Sequence, residues 1–431
     1  LKKYRITLLF LFTIVWISIF LVGCENQLSA TQTSEKVNGD VTISQGEVQG
    51  LQDEKPEKIN NLLVNQIGYD TSARKLVIYR DSGSDKYFEV IDADTNEVVY
   101  ASAIIEKEYN DKTDEYIAYG DFSKIADAGD YFVKTDSGIS EIFHIDDFVY
   151  RDMLEAQKDF IFGKANAYGQ KENVLVVADL VLSYKYFPNL YNKEENTEPD
   201  ILREARLRVD ALLREQDKSA AAIAVITMFA GIYETYDTDY AAECLTAAVE
   251  GWESINKEIL PEDEHYWALA ELYKATGGKK YVQELEIFFK QDTPKGMGKD
   301  GVGYYGTLAY LTTTYKTDAD ICTSLMDQFF ADAINIIETS SKDGYKISAG
   351  EVYTEQSCYQ VLQNARLLTL MNIISNSMDY ILGVENHLDY LCGKNPYRVC
   401  YFSEENDIYG EESFIFILSG LMNASESEGV M

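Results

Sequence analysis

Val174-Leu175-Val176-Val177-Ala178-Asp179-Leu180-Val181-Leu182 is the stretch on which the reading of this chain turns. Its apolar side chains leave almost no polar face, and a helix apolar all round is buried on all sides. The segment therefore lies inside a larger helical body. What precedes it, Lys164-Ala165-Asn166-Ala167-Tyr168-Gly169, sits at the mouth of that body.

Working outward, Ala220 to Ile232 is again apolar all round. Between these two runs, Ile201, Leu202, Ala205, Val209, Leu212 and Leu213 form a one-sided stripe of helical period. Stripes return at Ala241 to Trp252 and Tyr266 to Tyr273. Further helices fit Leu308 to Tyr315, Ile321 to Ile337, Val361 to Ile374, Met378 to Leu391 and Phe414 to Leu421. With Tyr150 to Phe162 and Tyr281 to Phe289 the count reaches about twelve. Buried helices alternating with amphipathic ones predict an inner and an outer ring over 148–431, closed as an (α/α)6 toroid. An open helical solenoid that binds protein is the alternative. The similar turns at Tyr236 to Tyr240 and Thr276 to Tyr281 are too irregular for a strict repeat.

Residues 60–147 differ in character. Lys75 to Tyr79, Tyr87 to Asp92, Glu97 to Tyr100 and Asp130 to Lys134 are short runs rich in β-branched and aromatic residues, separated by turn residues. They predict an all-β sandwich, so the chain is multidomain. Residues 25–59 carry few large apolar groups, too few to offset chain entropy, and read as a flexible linker. In 1–24, Lys2, Lys3 and Arg5 precede an apolar run that ends in Leu21-Val22-Gly23-Cys24, the pattern of a secretory signal. The last four residues resemble a bacterial lipobox, which implies lipidation at Cys24 and an extracytoplasmic lipoprotein. The run also approaches spanning length, so an uncleaved anchor is the other reading.

Val177-Ala178-Asp179-Leu180, Tyr184-Lys185-Tyr186-Phe187-Pro188 and Glu198-Pro199-Asp200-Ile201-Leu202-Arg203-Glu204-Ala205 together resemble the cellulases of glycoside hydrolase family nine. Val64-Asn65-Gln66-Ile67-Gly68-Tyr69 resembles the opening of the immunoglobulin-like module that precedes many of their catalytic domains. The resemblance covers about 61–421. It implies an immunoglobulin-like sandwich followed by the toroid, no cofactor, and β-glucan or a related plant polysaccharide as partner.

In that family a loop Asp-Ala-Gly-Asp-Tyr-Gly supplies the aspartates that activate water. Here Lys164 and Ala167 stand at their places. The letters Asp127-Ala128-Gly129-Asp130-Tyr131 do occur, but strand-like sequence follows them, so they are expected to be an inert turn. The resemblance places the family's general acid at Glu411, with Glu412 one residue off; acids favoured by a helix N-terminus are the plainer reading of both. Glu172, at the start of the buried run, is a conceivable substitute base under the same reservation. Trp267 and Tyr305 could stack on a glucan or belong to the core, and Asp263 is expected to cap its helix. The family's Pro-His-His-Arg grip is missing, since 401–431 contain no His, Lys or Arg. Gln216-Asp217-Lys218-Ser219 joins two helices where the family carries a long insertion, so the toroid has shortened loops. Two functions follow: a hydrolase with a reduced site, or a non-catalytic surface lipoprotein that binds glucan or supports a polysaccharide-handling complex.

A formal charge of −34 excludes nucleic acid as a partner and disfavours anionic membrane surfaces, leaving the lipid as the membrane contact. Besides Cys24 there are five cysteines, Cys244, Cys322, Cys358, Cys392 and Cys400, an odd number that leaves at least one thiol unbridged. The three histidines are dispersed and no metal site is expected.

Overall fold

The computed structural model describes residues 61–80, 85–164, 168–192, 197–290, 301–403 and 410–428. The expected signal, Cys24 and linker lie outside these residues, as do Ala165, Asn166 and Ala167.

Two sheets form the N-terminal module. Its strands are β1 (Leu62–Leu63), β2 (Gly68–Tyr69), β3 (Leu76–Arg80), β4 (Tyr87–Asp92), β5 (Val98–Ala103), β6 (Ile105–Asn110), β7 (Glu115–Asp121), β8 (Gly129–Lys134) and β9 (Phe143–Ile145). One sheet has the order β1-β3-β7-β6 and the other β2-β9-β8-β4-β5. Alternate side chains of the facing sheets, Val77, Tyr79, Phe88, Val90, Val133 and Phe143 among them, meet in a core of their own. The Asp127-to-Tyr131 string enters β8, where Asp130 lies opposite His144 in the ladder and meets its Nδ1 at 2.7 Å on an exposed face.

Among the described residues six helical hairpins follow: α1 (Val149–Gly163) with α2 (Gln170–Tyr186), the short α3 (Pro188–Tyr191), α4 (Asp200–Arg214) with α5 (Ala220–Tyr233), α6 (Thr238–Ser254) with α7 (Glu262–Thr276), α8 (Lys279–Lys290) with α9 (Gly303–Thr312), α10 (Ala319–Lys342) with α11 (Glu355–Ser375), and α12 (Met378–Leu391) with α13 (Ser413–Glu428). The second helix of each hairpin lines an inner ring. Val174 to Leu182 and Ala220 to Ala230 are continuously buried in it, as an all-round apolar surface requires. Local signals set the helix ends. Ser219 caps α5 by accepting from Ala222 N at 3.1 Å, and Gly277, at φ 66°, turns the chain out of α7.

The ring closes because α13 packs on both α1 and α2. Tyr191 and Ser419 exchange a 2.6 Å hydrogen bond, and the rings of Phe187 and Phe416 lie 5.8 Å apart. Closure sets aside the open solenoid. The fold is a sandwich followed by an (α/α)6 barrel. One helix differs in register from its expected span: α9 begins at Gly303 and ends at Thr312, because Thr313 takes up extended backbone.

The sandwich docks on the barrel through one face of its smaller sheet. Leu63, Ile78, Ile117 and Tyr119 join the barrel's core rather than the sandwich's. Polar contacts frame them. Tyr119 Oη donates to Gly344 O at 2.9 Å, Tyr345 Oη to Glu115 Oε1 at 2.8 Å, and Asn65 Nδ2 to Asp389 Oδ1 at 2.9 Å.

Candidate functional site

The mouth of the barrel lies at the N-terminal ends of α2 and α13. Lys164 ends α1, its backbone amide turned back on Phe160 O and Ile161 O. Its ammonium lies 3.7 Å from the centroid of the Phe160 ring and 3.4 Å from Glu411 Oε1. Tyr168 Oη donates to that same oxygen at 2.6 Å. Gln157 Nε2 holds the Glu411 carbonyl at 3.1 Å. Gly410, at φ 90°, makes the turn that delivers Glu411, and a side chain there would run into Tyr359. Glu411 is nearly buried, at 8% exposure.

Behind Tyr168 the wall is tied together by Arg208. Buried Arg208 donates from Nε to Glu204 Oε1 at 2.8 Å and from its two terminal nitrogens to Asn173 Oδ1 at 2.9 Å and Ile161 O at 2.5 Å. Its guanidinium carbon lies 5.1 Å from the centroid of the Tyr168 ring. The short 215–219 link is tied in as well, since Gln170 bonds both Asp217 O and Ser219 N.

Beneath the mouth lies a second group that the sequence reading missed. Asp179, fully buried, accepts from Tyr305 Oη at 2.8 Å and from Ser413 Oγ at 2.9 Å, with Arg366 at 3.6 Å. Arg366 also donates to Tyr305 Oη at 2.7 Å. These residues tie α2, α9, α11 and α13 together, and a buried polar network satisfied in this way rigidifies a core. Burial, and then the charge of Asp179, push the neighbouring Glu412 carboxyl up to about 8.

The two rings that could stack on a glucan or belong to the core meet each other. Trp267 and Tyr305 are 0% and 1% exposed and stack at 4.7 Å, so neither presents a face to a polysaccharide. Glu172 is exposed on the first turn of α2, where a helix favours any acid. Asp263 does not cap α7, whose N-cap is Pro261. It accepts from Val302 N at 3.2 Å instead and ties α7 to the start of α9. No group of three or more His, Cys, Asp or Glu among the described residues could hold a metal ion.

The arrangement at the mouth bears on acid chemistry. An ammonium and a phenol converge on one carboxylate oxygen, and such charge-assisted contacts use the carboxylate as an acceptor. Of the elements expected from the sequence, the structure brings together Lys164 and Glu411. It leaves Glu172 on the rim and places Trp267 and Tyr305 in the core.

Residues 146–415 match the model of glycosyl hydrolase family 9, and residues 57–140 match that of the cellulase N-terminal ig-like domain. Endoglucanase D of Acetivibrio thermocellus is 23% identical over 201 residues, covering 42% of this chain and 32% of that protein. The chain thus matches about a third of the length of that curated relative. The cellodextrinase of Butyrivibrio fibrisolvens is 20% identical over 482 residues, covering 83% of this chain and 86% of its own. Among solved structures, a metagenome-derived glycoside hydrolase family 9 endoglucanase superposes with a TM-score of 0.70 at 19% identity, over 79% of this chain and 84% of that one. A Bacteroides ovatus family 9 protein superposes with a TM-score of 0.67 at 16% identity, over 84% and 99%. At these identities the superpositions speak for the fold.

Proposed function

This chain belongs to glycosyl hydrolase family 9, and from that premise we propose that its barrel engages β-glucan or a related polysaccharide without hydrolysing it. The relatives named endoglucanase and cellodextrinase support the substrate class. The observation that carries the rest is the Lys164–Glu411 ion pair. Inverting hydrolysis needs two carboxyl groups about 6.5–9.5 Å apart, one stripping a proton from water and one giving a proton to the leaving oxygen. Here the lysine occupies one of the places where the family resemblance puts an aspartate. A protonated amine cannot act as the base, and it engages the carboxylate that would be the acid. General-base assistance contributes on the order of 10²–10⁴-fold.

The test is reducing-end release from carboxymethyl cellulose and barley glucan at mildly acid pH, with retardation of the same protein in glucan-containing native gels. The expected result is retardation, with release no greater than from heat-denatured protein. Turnover that falls by orders of magnitude in Glu411→Gln would show a working acid and overturn the reading. Migration unaffected by glucan would remove the binding half of it.

We also propose that the protein is held outside the cytoplasm by lipid on Cys24, on the strength of the basic start, the apolar run and Leu21-Val22-Gly23-Cys24. No helix among the described residues is long and apolar enough to cross a membrane. Cys24→Ser is expected to move the protein from the membrane fraction to the soluble one; retention would point to an uncleaved anchor.

A further inference from the structure

We propose that Cys392 and Cys400 form a disulfide that closes the loop on which the sandwich docks. The two residues oppose each other in an isolated antiparallel bridge just beyond α12. Tyr401 N donates to Leu391 O at 2.7 Å beside the pair, which is the pattern of a non-hydrogen-bonded antiparallel position. Opposed Cα atoms there approach to roughly 4.5 Å with their side chains closest. A disulfide spans Cα separations of about 4.4–6.8 Å.

The loop between the two cysteines is already closed by other contacts. Asn395 Nδ2 donates to both Tyr390 O and Val399 O at 2.7 Å, drawing the arms together. Gly393 turns at φ 110° with Gln66 packed against it. The sandwich rests on this loop. Gln66 N donates to Cys392 O at 2.8 Å, Gln66 Nε2 to Arg398 O at 3.1 Å, and one terminal Arg80 nitrogen to Pro396 O at 2.9 Å. A covalent bond at 392–400 would therefore fix the platform that carries the other module.

The two thiols are suited to different steps. Cys400 is half-buried, and its pKa is lowered, first by the Cys392 thiol beside it, which favours its thiolate. Cys392 is fully buried, and burial holds its pKa well up. With an external disulfide as oxidant, the Cys400 thiolate attacks one sulfur of that donor, forms a mixed disulfide and expels one donor thiolate. Cys392 then gives up its proton and attacks Cys400 Sγ, expelling the second. Two donor thiols leave with the two protons and two electrons lost by the cysteines.

The experiment treats the full chain with oxidised glutathione, alkylates it with iodoacetamide under denaturing, non-reducing conditions, and maps the peptides by mass. Cys392 and Cys400 are expected as one linked pair that loses labelling at both positions and regains it after dithiothreitol. Cys244, Cys322 and Cys358 are expected to be alkylated. Cys392→Ser is expected to trap glutathione on Cys400. Full labelling of both cysteines after glutathione, a lasting glutathione adduct on Cys400 of the parent protein, or a link from either to another cysteine would overturn the proposal. The map of the parent protein decides the matter even if the variant does not fold.

Discussion

Lys164 Nζ and Glu411 Oε1 lie 3.4 Å apart, although 247 positions separate them in the chain, and the pair joins the end of α1 to the entry of α13. The same oxygen accepts the Tyr168 hydroxyl. Glu411→Gln replaces the charged acceptor of both contacts. We expect it to lower unfolding free energy by about 1–3 kcal/mol in urea titration while leaving glucan turnover at background. A stability equal to that of the parent protein would mean the pair is not maintained in solution.

Asp179→Asn is expected to be far more damaging. The change keeps the shape but leaves buried Arg366 without its carboxylate. Breaking a buried ion pair from one side costs about 3–5 kcal/mol. Equilibrium unfolding measures it, and a loss below 1 kcal/mol would show that the network does not hold the four inner helices.

Asp130→Asn provides the contrast. It alters the string that spells the family's catalytic loop, yet Asp130 is half exposed and pairs with an exposed His144 on the sandwich. Surface pairs of this kind contribute about 0–1 kcal/mol. Stability is expected to change within that range and polysaccharide binding not at all. A loss of binding would assign the sandwich a role in contact with glucan.

Acid pH is expected to strengthen the fold through Glu385. Burial, and then the nearby charge of Asp389, push its carboxyl up to about 8, against 4.5 for an ordinary glutamate. The Arg74 backbone amide and the Tyr150 hydroxyl act the other way, and Asp70 adds to the rise. The folded state thus holds a proton that the unfolded state releases above its own pKa. This group's contribution is complete below about 4.5 and is lost as pH rises through about 8. Glu385→Gln keeps a neutral hydrogen-bonding group in place. Relative to the parent protein it should gain stability steadily from about pH 5 to about pH 8 in urea titrations. A difference that does not change with pH would count against a protonated Glu385.

Much of the scaffold was legible because burial leaves a composition signature. Val174 to Leu182 and Ala220 to Ile232 admit only a helix surrounded by other helices, and α2 and α5 are such helices. The strands of the sandwich likewise follow from short apolar runs cut by turn residues. Asp179 was hidden inside the first of those runs. Its partners Tyr305, Arg366 and Ser413 come from three other helices, and no local pattern announces a contact across a ring. The same limit applies to Trp267 and Tyr305, whose helical spacing fits a core or a platform equally well until their mutual stacking is seen. Lys164 was visible as a departure from an aspartate, whereas its contact with Glu411 depends on closure of the ring.

That closure has a consequence for how the protein is made. The walls of α1 and α2 find their last partner only in α13, which leaves the ribosome after every other helix of the ring. Until then a nascent chain displays an apolar seam between its first hairpin and open solvent. An array of stacked repeats can lose an end and keep the rest, since each unit leans only on its neighbours. A ring has no such graceful failure. Truncation before Ser413 should yield a sticky, protease-sensitive chain rather than a smaller barrel, and a chaperone that shields the first hairpin would cover the seam until α13 is made.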